Sequence, residues 1–532
     1  MHFSPDRPTF FVNPDYRPMA GAPKPVIDPA TLETVGAISA ATDDEIDAAL
    51  TAATKAQAAW KKLDAKSRAK HLHAVANAIE RADFTRCAEL MVREMGKPYP
   101  EAMGEIANCA PIFRYYAEMA RDDAGKIAGT TQAGSFQYAR YEPYGVSVHI
   151  IPYNFPILLM CWTVAASLAA GNACIIKPAE ATTLSTLDYM TVFRSLPEGL
   201  VSCLPGGAAT AQALIASDRT HAVAFTGSVA AGKAVAVACA ERMKPCVIEA
   251  GGSDPLIVSQ HAPLDIAAAG SVTAAFHLTG QVCTSAERFF VVDAVHDRFV
   301  ALFAERTRAL RIGNGMDKTE IGPLVSEAAR AKVMRLVDDA IAHGAIAVTG
   351  GCIPPTHNTG WFYEPTILTG VTPDMAIVRE ECFGPVAAIC RVRDFDEAIQ
   401  LANDSPFGLG ASVFTTDLAE AHEAAERLEA GMVWVNNPLI DNDALPFGGW
   451  KASGLGRELG RQGLDAFRRS KMVIIDHKPA IQDWWYPYPD SWFRETGGRM
   501  HVLIGYRSSD RQGVVSASIA AAVWSIFPAS TP

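Results

Sequence analysis

Between Val146 and Ala250 the chain repeats one unit: a short apolar run, a turn, then a longer alanine-rich stretch. The runs are Val146–Ile151, Cys174–Ile176, Leu200–Cys203, Ala222–Phe225 and Cys246–Ile248. Unbroken apolar runs suit strands buried on both faces, and their alternation with helix predicts a parallel sheet covered by helices. Ligands of such sheets bind at the carboxyl ends of the strands. Asn154, Lys177, Gly227 and Glu249 fall at those ends, so the chemistry is sought there.

At 532 residues the chain exceeds a single core, which stops growing near roughly 250–300 residues. Asp43–Asp44–Glu45 opens a helix-periodic region that runs to Asp122. A second mixed segment, Pro255 to about Leu445, contains the strand Arg288–Val292 and the helix Ala328–Ala342. The expected organisation has residues 1–122 as the N-terminal part of a dinucleotide-binding domain and 123–145 as an oligomerisation hairpin. Residues 146–252 form its Rossmann-like core, 253–445 an α/β catalytic domain, 446–476 a return segment and oligomerisation strand, and 477–532 an extension of different composition.

The charge balance, 47 basic against 58 acidic residues, gives a net of −11 and speaks against nucleic acid as a partner. Eleven cysteines occur singly with no C-x-x-C pair, which argues against zinc ligation or a disulfide framework and for a reducing, cytoplasmic setting. Met1–Pro18 lacks the form of a secretory signal. The most apolar stretch, Val514–Phe527, is shorter than the roughly 20 residues a membrane span needs, so no transmembrane segment is expected.

Cys283, in Gly280–Gln281–Val282–Cys283–Thr284–Ser285, is placed on an irregular segment where a thiolate can act as nucleophile, or it is inert filler like most cysteines. Glu249 emerges where an apolar strand meets Ala250–Gly251–Gly252, as a general base or as a solvated end residue. Asn154 can donate to a developing oxyanion or cap the following helix. Gly227, Ser228 and Gly232 make a G-S-x-x-x-G turn suited to close phosphate approach at a helix start.

These segments, with Pro152–Tyr153–Asn154–Phe155–Pro156, Lys177–Pro178–Ala179–Glu180, Phe225–Thr226–Gly227–Ser228, Glu381–Cys382–Phe383–Gly384–Pro385 and Pro446–Phe447–Gly448–Gly449–Trp450–Lys451, resemble the aldehyde dehydrogenase superfamily in order and wording over roughly Val26 to Asp476. The resemblance implies that Cys283 attacks an aldehyde, that Asn154 and the Cys283 backbone N–H hold the oxygen, that hydride passes to NAD, and that Glu249 activates the water that hydrolyses the thioester. It implies cofactor contacts at Lys177, Glu180, Gly227, Ser228, Gly232, Glu381, Phe383 and Tyr153, with the Glu180 carboxylate favouring NAD over NADP. It also implies a homodimer or homotetramer in which Lys471–Ile475 pairs across the subunit boundary. Three positions depart from the commoner pattern: Tyr153 for tryptophan, Ser253 for lysine and Cys382 for an aliphatic residue.

Phe155, Leu159, Trp162 and Phe447 match tunnel positions and favour an aromatic or aliphatic aldehyde, the alternative being ordinary core packing. Small hydroxyaldehydes, coenzyme A-dependent acylation and a non-catalytic protein that kept the fold are the other readings. The aromatic run Trp484–Tyr488 walls a tunnel mouth or packs on the oligomer, and Val514–Phe527 lies on a protein or membrane surface.

Overall fold

The computed structural model describes residues 3–122, 124–131, 133–482, 485–488, 490, 493–496 and 499–502. Trp484 and Val514–Phe527 lie outside these. No helix among the described residues is long and apolar enough to cross a membrane.

The described chain divides into two compact units, one from residues 1–126 and 139–471, the other from 127–138 and 472 onward. The larger is α/β and holds two sheets. In the first, five parallel strands run in the order Cys246–Ala250, Ala222–Gly227, Val146–Ile150, Ala173–Lys177, Val201–Cys203. The strand Val146–Ile150 is first in sequence and central in space, so the order reverses between it and Ala222–Gly227. That reversal opens a crevice at the carboxyl ends of these two strands. Phe225, Ile175, Ile176 and Val148 are all buried, which is why these runs read as continuous rather than alternating.

Two short antiparallel strands, Thr9–Val12 and Asp15–Pro18, extend the far edge through pairing of Phe11 with Cys203. At the other edge Gly454–Leu455 pairs with Ile248 and Glu249, and Gly454 (φ +157°) lies so close that a Cβ would sit 2.3 Å from the Ile248 carbonyl. The region from 43 to 122 forms five helices. The first, Asp43–Trp60, starts with a capping box in which Thr42 and Glu45 satisfy each other's backbone N–H groups. The helix Leu158–Ala170 is apolar all round because it packs between the sheet and the helices Ala65–Arg81 and Cys109–Asp122.

The second sheet is ordered Ile346–Thr349, Thr366–Thr369, Val386–Val392, Ala286–Val292, Asp254–Val258, Gly410–Phe414, Met432–Val435, parallel throughout apart from its first strand. Cys382 is buried in the core beside it, so its role is packing.

The strand Arg468–Asp476 pairs with Ser135–Pro143 of the same chain, in a three-stranded sheet whose other edge is Gly125–Ile127. In the smaller unit the His477 N–H donates to the Gly134 carbonyl, and the rings of Tyr486 and Tyr488 lie 4.6 Å apart. The strands Phe493–Thr496 and Arg499–Val502 pair antiparallel.

Candidate active site

Cys283 sits between a tight turn, His277–Gly280, and the strand Ala286–Val292. Leu278 and Thr279 both hold positive φ there (50° and 59°), a costly conformation for residues with a Cβ. Gly280 follows at φ +71°, where a Cβ would lie 2.1 Å from the Gly384 carbonyl. Glycine is therefore required. Gln281 locks the turn: its Nε2 donates to the Leu278 carbonyl at 3.2 Å and its Oε1 accepts the Val325 N–H at 3.0 Å.

Glu249, the fourth residue of its strand, is 1% exposed, and neither carboxylate oxygen completes a well-formed hydrogen bond. The Cys283 thiol lies close enough that each group biases the ionisation of the other. Gly252 makes that approach possible, since a Cβ there would sit 2.7 Å from both the Cys283 carbonyl and Asp254 Oδ1.

Asn154 does not cap the helix after it. The N-cap is Ile157, which makes no side-chain capping bond. The Asn154 amide instead donates to the Gln281 carbonyl at 3.0 Å, two residues before the thiol. An amide has two N–H donors, so one remains for a ligand oxygen.

A buried ion pair invisible in the sequence holds this segment. Lys97 Nζ lies 2.5 Å from Glu105 Oε2 and donates to the Asn154 carbonyl at 2.5 Å, with both charged side chains wholly buried. Glu105 Oε1 accepts the N–H groups of Ile157 and Leu158 at 2.7 and 3.0 Å, doing the capping that Asn154 leaves undone. Removing one partner of a buried pair strands the other charge and costs about 3–5 kcal/mol. Lys97→Met is expected to lower stability by about that amount in urea unfolding, with part recovered in Lys97→Met/Glu105→Gln; an unchanged midpoint for the single variant contradicts the assignment.

Burial is the largest influence on both central groups. It pushes the Cys283 thiol well above its ordinary range, and the Glu249 charge adds to this. Glu249 is itself pushed well up by burial, then by Glu458, with smaller contributions from Glu381 and Asp254. Burial holds Glu458 and Glu381 at about 8. A carboxylate with a raised pKa is also a stronger base than an ordinary one.

The remaining residues of interest fall into three groups. Tyr153 and Phe383 meet edge to face at 6.0 Å, and Glu381 lies against Gly251, whose missing Cβ would be 2.0 Å from its Oε1. Phe383 has φ +55°, and its N–H and that of Cys382 donate to Glu287 at 2.7 and 2.8 Å. The charge of Glu381, at the head of this turn, acts on Glu249. Phe155, Trp162 and Phe447 form the second group, with the Trp162 and Phe447 rings 4.9 Å apart and Phe155 under Lys97. Leu159 is buried on the same helix.

The third group lies along the first sheet. Gly227 closes its strand, and Ser228 caps Val229–Ala240 by accepting the Ala231 N–H at 3.3 Å. Gly232 lets that helix close on the sheet, since a Cβ would be 2.9 Å from Ile248. Lys177 donates to the Pro178 and Gly206 carbonyls, and burial lowers its pKa to about 8. Glu180 pairs with Lys24 at 3.0 Å and faces Gly207. Backbone N–H groups at an open helix start, two glycines and polar groups on the neighbouring strand ends fit a dinucleotide at the crevice. Sequence reasoning missed Lys97, Glu105, Glu287, Glu458 and Asp254. Nothing local marks them, because each acts on a segment far along the chain.

The model of the aldehyde dehydrogenase family matches residues 17–473. A succinate-semialdehyde dehydrogenase [NADP(+)] of Mycobacterium avium is 40% identical over 469 residues, covering 85% of this chain and 97% of that protein. A betaine aldehyde dehydrogenase of Brucella anthropi is 38% identical over 462 residues, covering 86% and 94%. A crystal structure of betaine aldehyde dehydrogenase from Staphylococcus aureus in complex with NAD+ superposes with a TM-score of 0.86 at 30% identity, covering 90% of this chain and 97% of that one.

Proposed function

The chain belongs to the aldehyde dehydrogenase family and is an oxidoreductase, and from that premise we propose that it oxidises an aldehyde to the carboxylic acid with NAD, through a covalent bond to Cys283. The observation that carries this is the closeness of the Cys283 thiol to the buried carboxyl of Glu249, each acting on the ionisation of the other. As sulfur bonds to the carbonyl carbon, its proton leaves to water. The oxygen gains negative charge, and the free N–H of Asn154 and the backbone N–H of Cys283 receive it. NAD, when bound, supplies the hydride acceptor. Tyr153, Phe383 and Glu381 stand on the side where its nicotinamide end would lie, with Gly227, Ser228 and Gly232 at the pyrophosphate and Lys177 and Glu180 at the adenosine ribose.

Glu249 draws a proton from water so that the oxygen attacks the thioester carbon. The carbon–sulfur bond then breaks and the acid departs. A base at this position favours hydrolysis over transfer to coenzyme A. Glu180 places a carboxylate where a 2′-phosphate would sit, favouring NAD over NADP. Its pairing with Lys24 is exposed, and an exposed pair is worth little, so it does not cancel that charge. The apolar walls Phe155, Leu159, Trp162 and Phe447 suit hydrocarbon next to the carbonyl. Residues 146–252 with 1–122 are read as the cofactor-binding part and 253–445 as the catalytic part. Residues 123–145 and 446–476 are read as the oligomerisation elements of a homodimer or homotetramer. All eleven cysteines are free, in keeping with the reducing cytoplasm.

An aldehyde panel with NAD and NADP, run with and without coenzyme A, tests this reading. NADH is expected to appear without the thiol, faster than NADPH. Product that forms only when coenzyme A is supplied establishes acylation instead, and a protein that binds NAD yet oxidises nothing contradicts the proposal.

A further inference from the structure

The short stretch from Lys97 to Glu105 reaches both the oxyanion donor and the turn before the nucleophile, and the chemistry above leaves it unused. Pro98 is the N-cap of its helix, Tyr99–Ala107, on which Glu101 and Glu105 stand one turn apart and share a face. Glu105 faces the donor. Its Oε1 accepts the N–H groups of Ile157 and Leu158 at 2.7 and 3.0 Å, and its Oε2 takes Lys97 Nζ, which also grips the Asn154 carbonyl at 2.5 Å. Glu101 faces the nucleophile turn, where its Oε1 accepts the Leu278 N–H at 3.4 Å and meets His277 Nδ1 at 3.1 Å. One helix turn thus separates the two.

The start of the helix is itself fixed. The Tyr99 N–H donates to the Gly315 carbonyl at 2.8 Å, and Gly96 packs so tightly on Pro323 that a Cβ would lie 2.7 Å from its ring and from its carbonyl. The same neighbourhood holds the nucleophile turn, because Thr279 Oγ1 donates to the Gly322 carbonyl at 3.1 Å and the Val325 N–H to Gln281 Oε1 at 3.0 Å. The frame closes on itself. Lys97 Nζ spends two of its three N–H donors on Glu105 and Asn154, and it stands 4.8 Å from the centre of the Phe155 ring. Lys97 is 1% exposed and Glu105 and Asn154 are each 3% exposed, so turning the Asn154 peptide breaks a charge-assisted bond that solvent does not replace.

The direction of that peptide sets where the Asn154 side chain points, with one amide N–H on the Gln281 carbonyl at 3.0 Å and the other left for a ligand. A donor stabilises a developing oxyanion only within about 3 Å of it, and a displacement of about 1 Å forfeits much of the effect. We propose that Lys97 and Glu105 are positioning residues of the oxidation step, fixing the Asn154 peptide so that its free amide N–H meets the aldehyde oxygen as charge develops there. This rests on the reading that Cys283 oxidises an aldehyde, and it gives the buried pair a role in rate that is separate from its role in stability.

A double-mutant cycle on single-turnover NADH formation, with enzyme in excess over a neutral aldehyde, tests it. Asn154→Ala is expected to slow that step by about 10²–10³-fold. Lys97→Met/Glu105→Gln, in which both charges leave together, is expected to slow it by about 10–10²-fold while NAD affinity by calorimetry stays as in wild type. Once Asn154 is already alanine, the same pair of changes should cost less than about three-fold more, because the group it positions is gone. Glu105→Asp keeps the charges paired but is one methylene too short to span Lys97 and the helix N–H groups, so it serves where the double variant does not fold. It should slow the step by about ten-fold, again only while Asn154 is present. A wild-type rate in either variant overturns the proposal, and so does a loss that multiplies undiminished onto Asn154→Ala, the mark of a generally loosened fold. Wild-type protein that oxidises no aldehyde sinks the oxidation reading instead.

Discussion

Cys283→Ala is expected to lower aldehyde-dependent NADH formation by at least about 10⁴-fold, because without the sulfur there is no covalent path from aldehyde to acid. The effect is specific to this thiol. Eight of the other ten cysteines are buried, leaving Cys246 partly buried and Cys352 exposed. Neither thiol hydrogen-bonds Glu249 or Asn154, so Cys246→Ala and Cys352→Ala are expected to keep wild-type turnover. Alanine is smaller than cysteine and Cys283 is only partly buried, so NAD binding measured by calorimetry should persist in Cys283→Ala. Retained oxidation in that variant refutes the assigned nucleophile.

Glu249→Gln is expected to separate the two halves of the reaction. Glutamine keeps the shape of the side chain but cannot take a proton from water, so thioester forms and is not released. Rapid mixing should show a burst of about one NADH per site followed by a steady rate lower by about 10²–10⁴-fold. The pH dependence of the wild type follows from the same group. Because burial and the neighbouring Glu458 raise the pKa of Glu249, its basic form is lost as pH falls through that raised value. Steady-state turnover should accordingly fail on the acid side at a higher pH than an ordinary carboxylate would dictate. A variant that turns over like wild type without a burst excludes Glu249 as the base.

The parallel sheet was legible because its strands are buried on both faces, so Cys174–Ile176 and Val146–Ile151 read as unbroken apolar runs flanked by helical texture. The edge hairpin Thr9–Val12 and Asp15–Pro18 was not: four-residue strands are too short for a period, and Met1–Pro18 was informative only as lacking the form of a leader. Among the site residues, local pattern alone left Cys283 one cysteine among eleven and Asn154 balanced between cap and donor. The ordered motifs singled out the first. The second needed coordinates, since only they show Glu105 capping the helix and the Asn154 amide turned toward Gln281.

What stayed hidden shares one physical cause, that charge acts through space and not along the chain. Glu458 biases Glu249 from more than two hundred positions away, and Lys97 grips the Asn154 carbonyl across 57.

The covalent intermediate itself is the most direct test. Glu249→Gln, mixed with NAD and a neutral aldehyde, acid-quenched within the burst and digested, is expected to yield the peptide containing Cys283 heavier by one acyl group, close to one per subunit, in a NAD-dependent manner. An unmodified Cys283 peptide at full NADH burst, or the acyl group on another residue, contradicts the account.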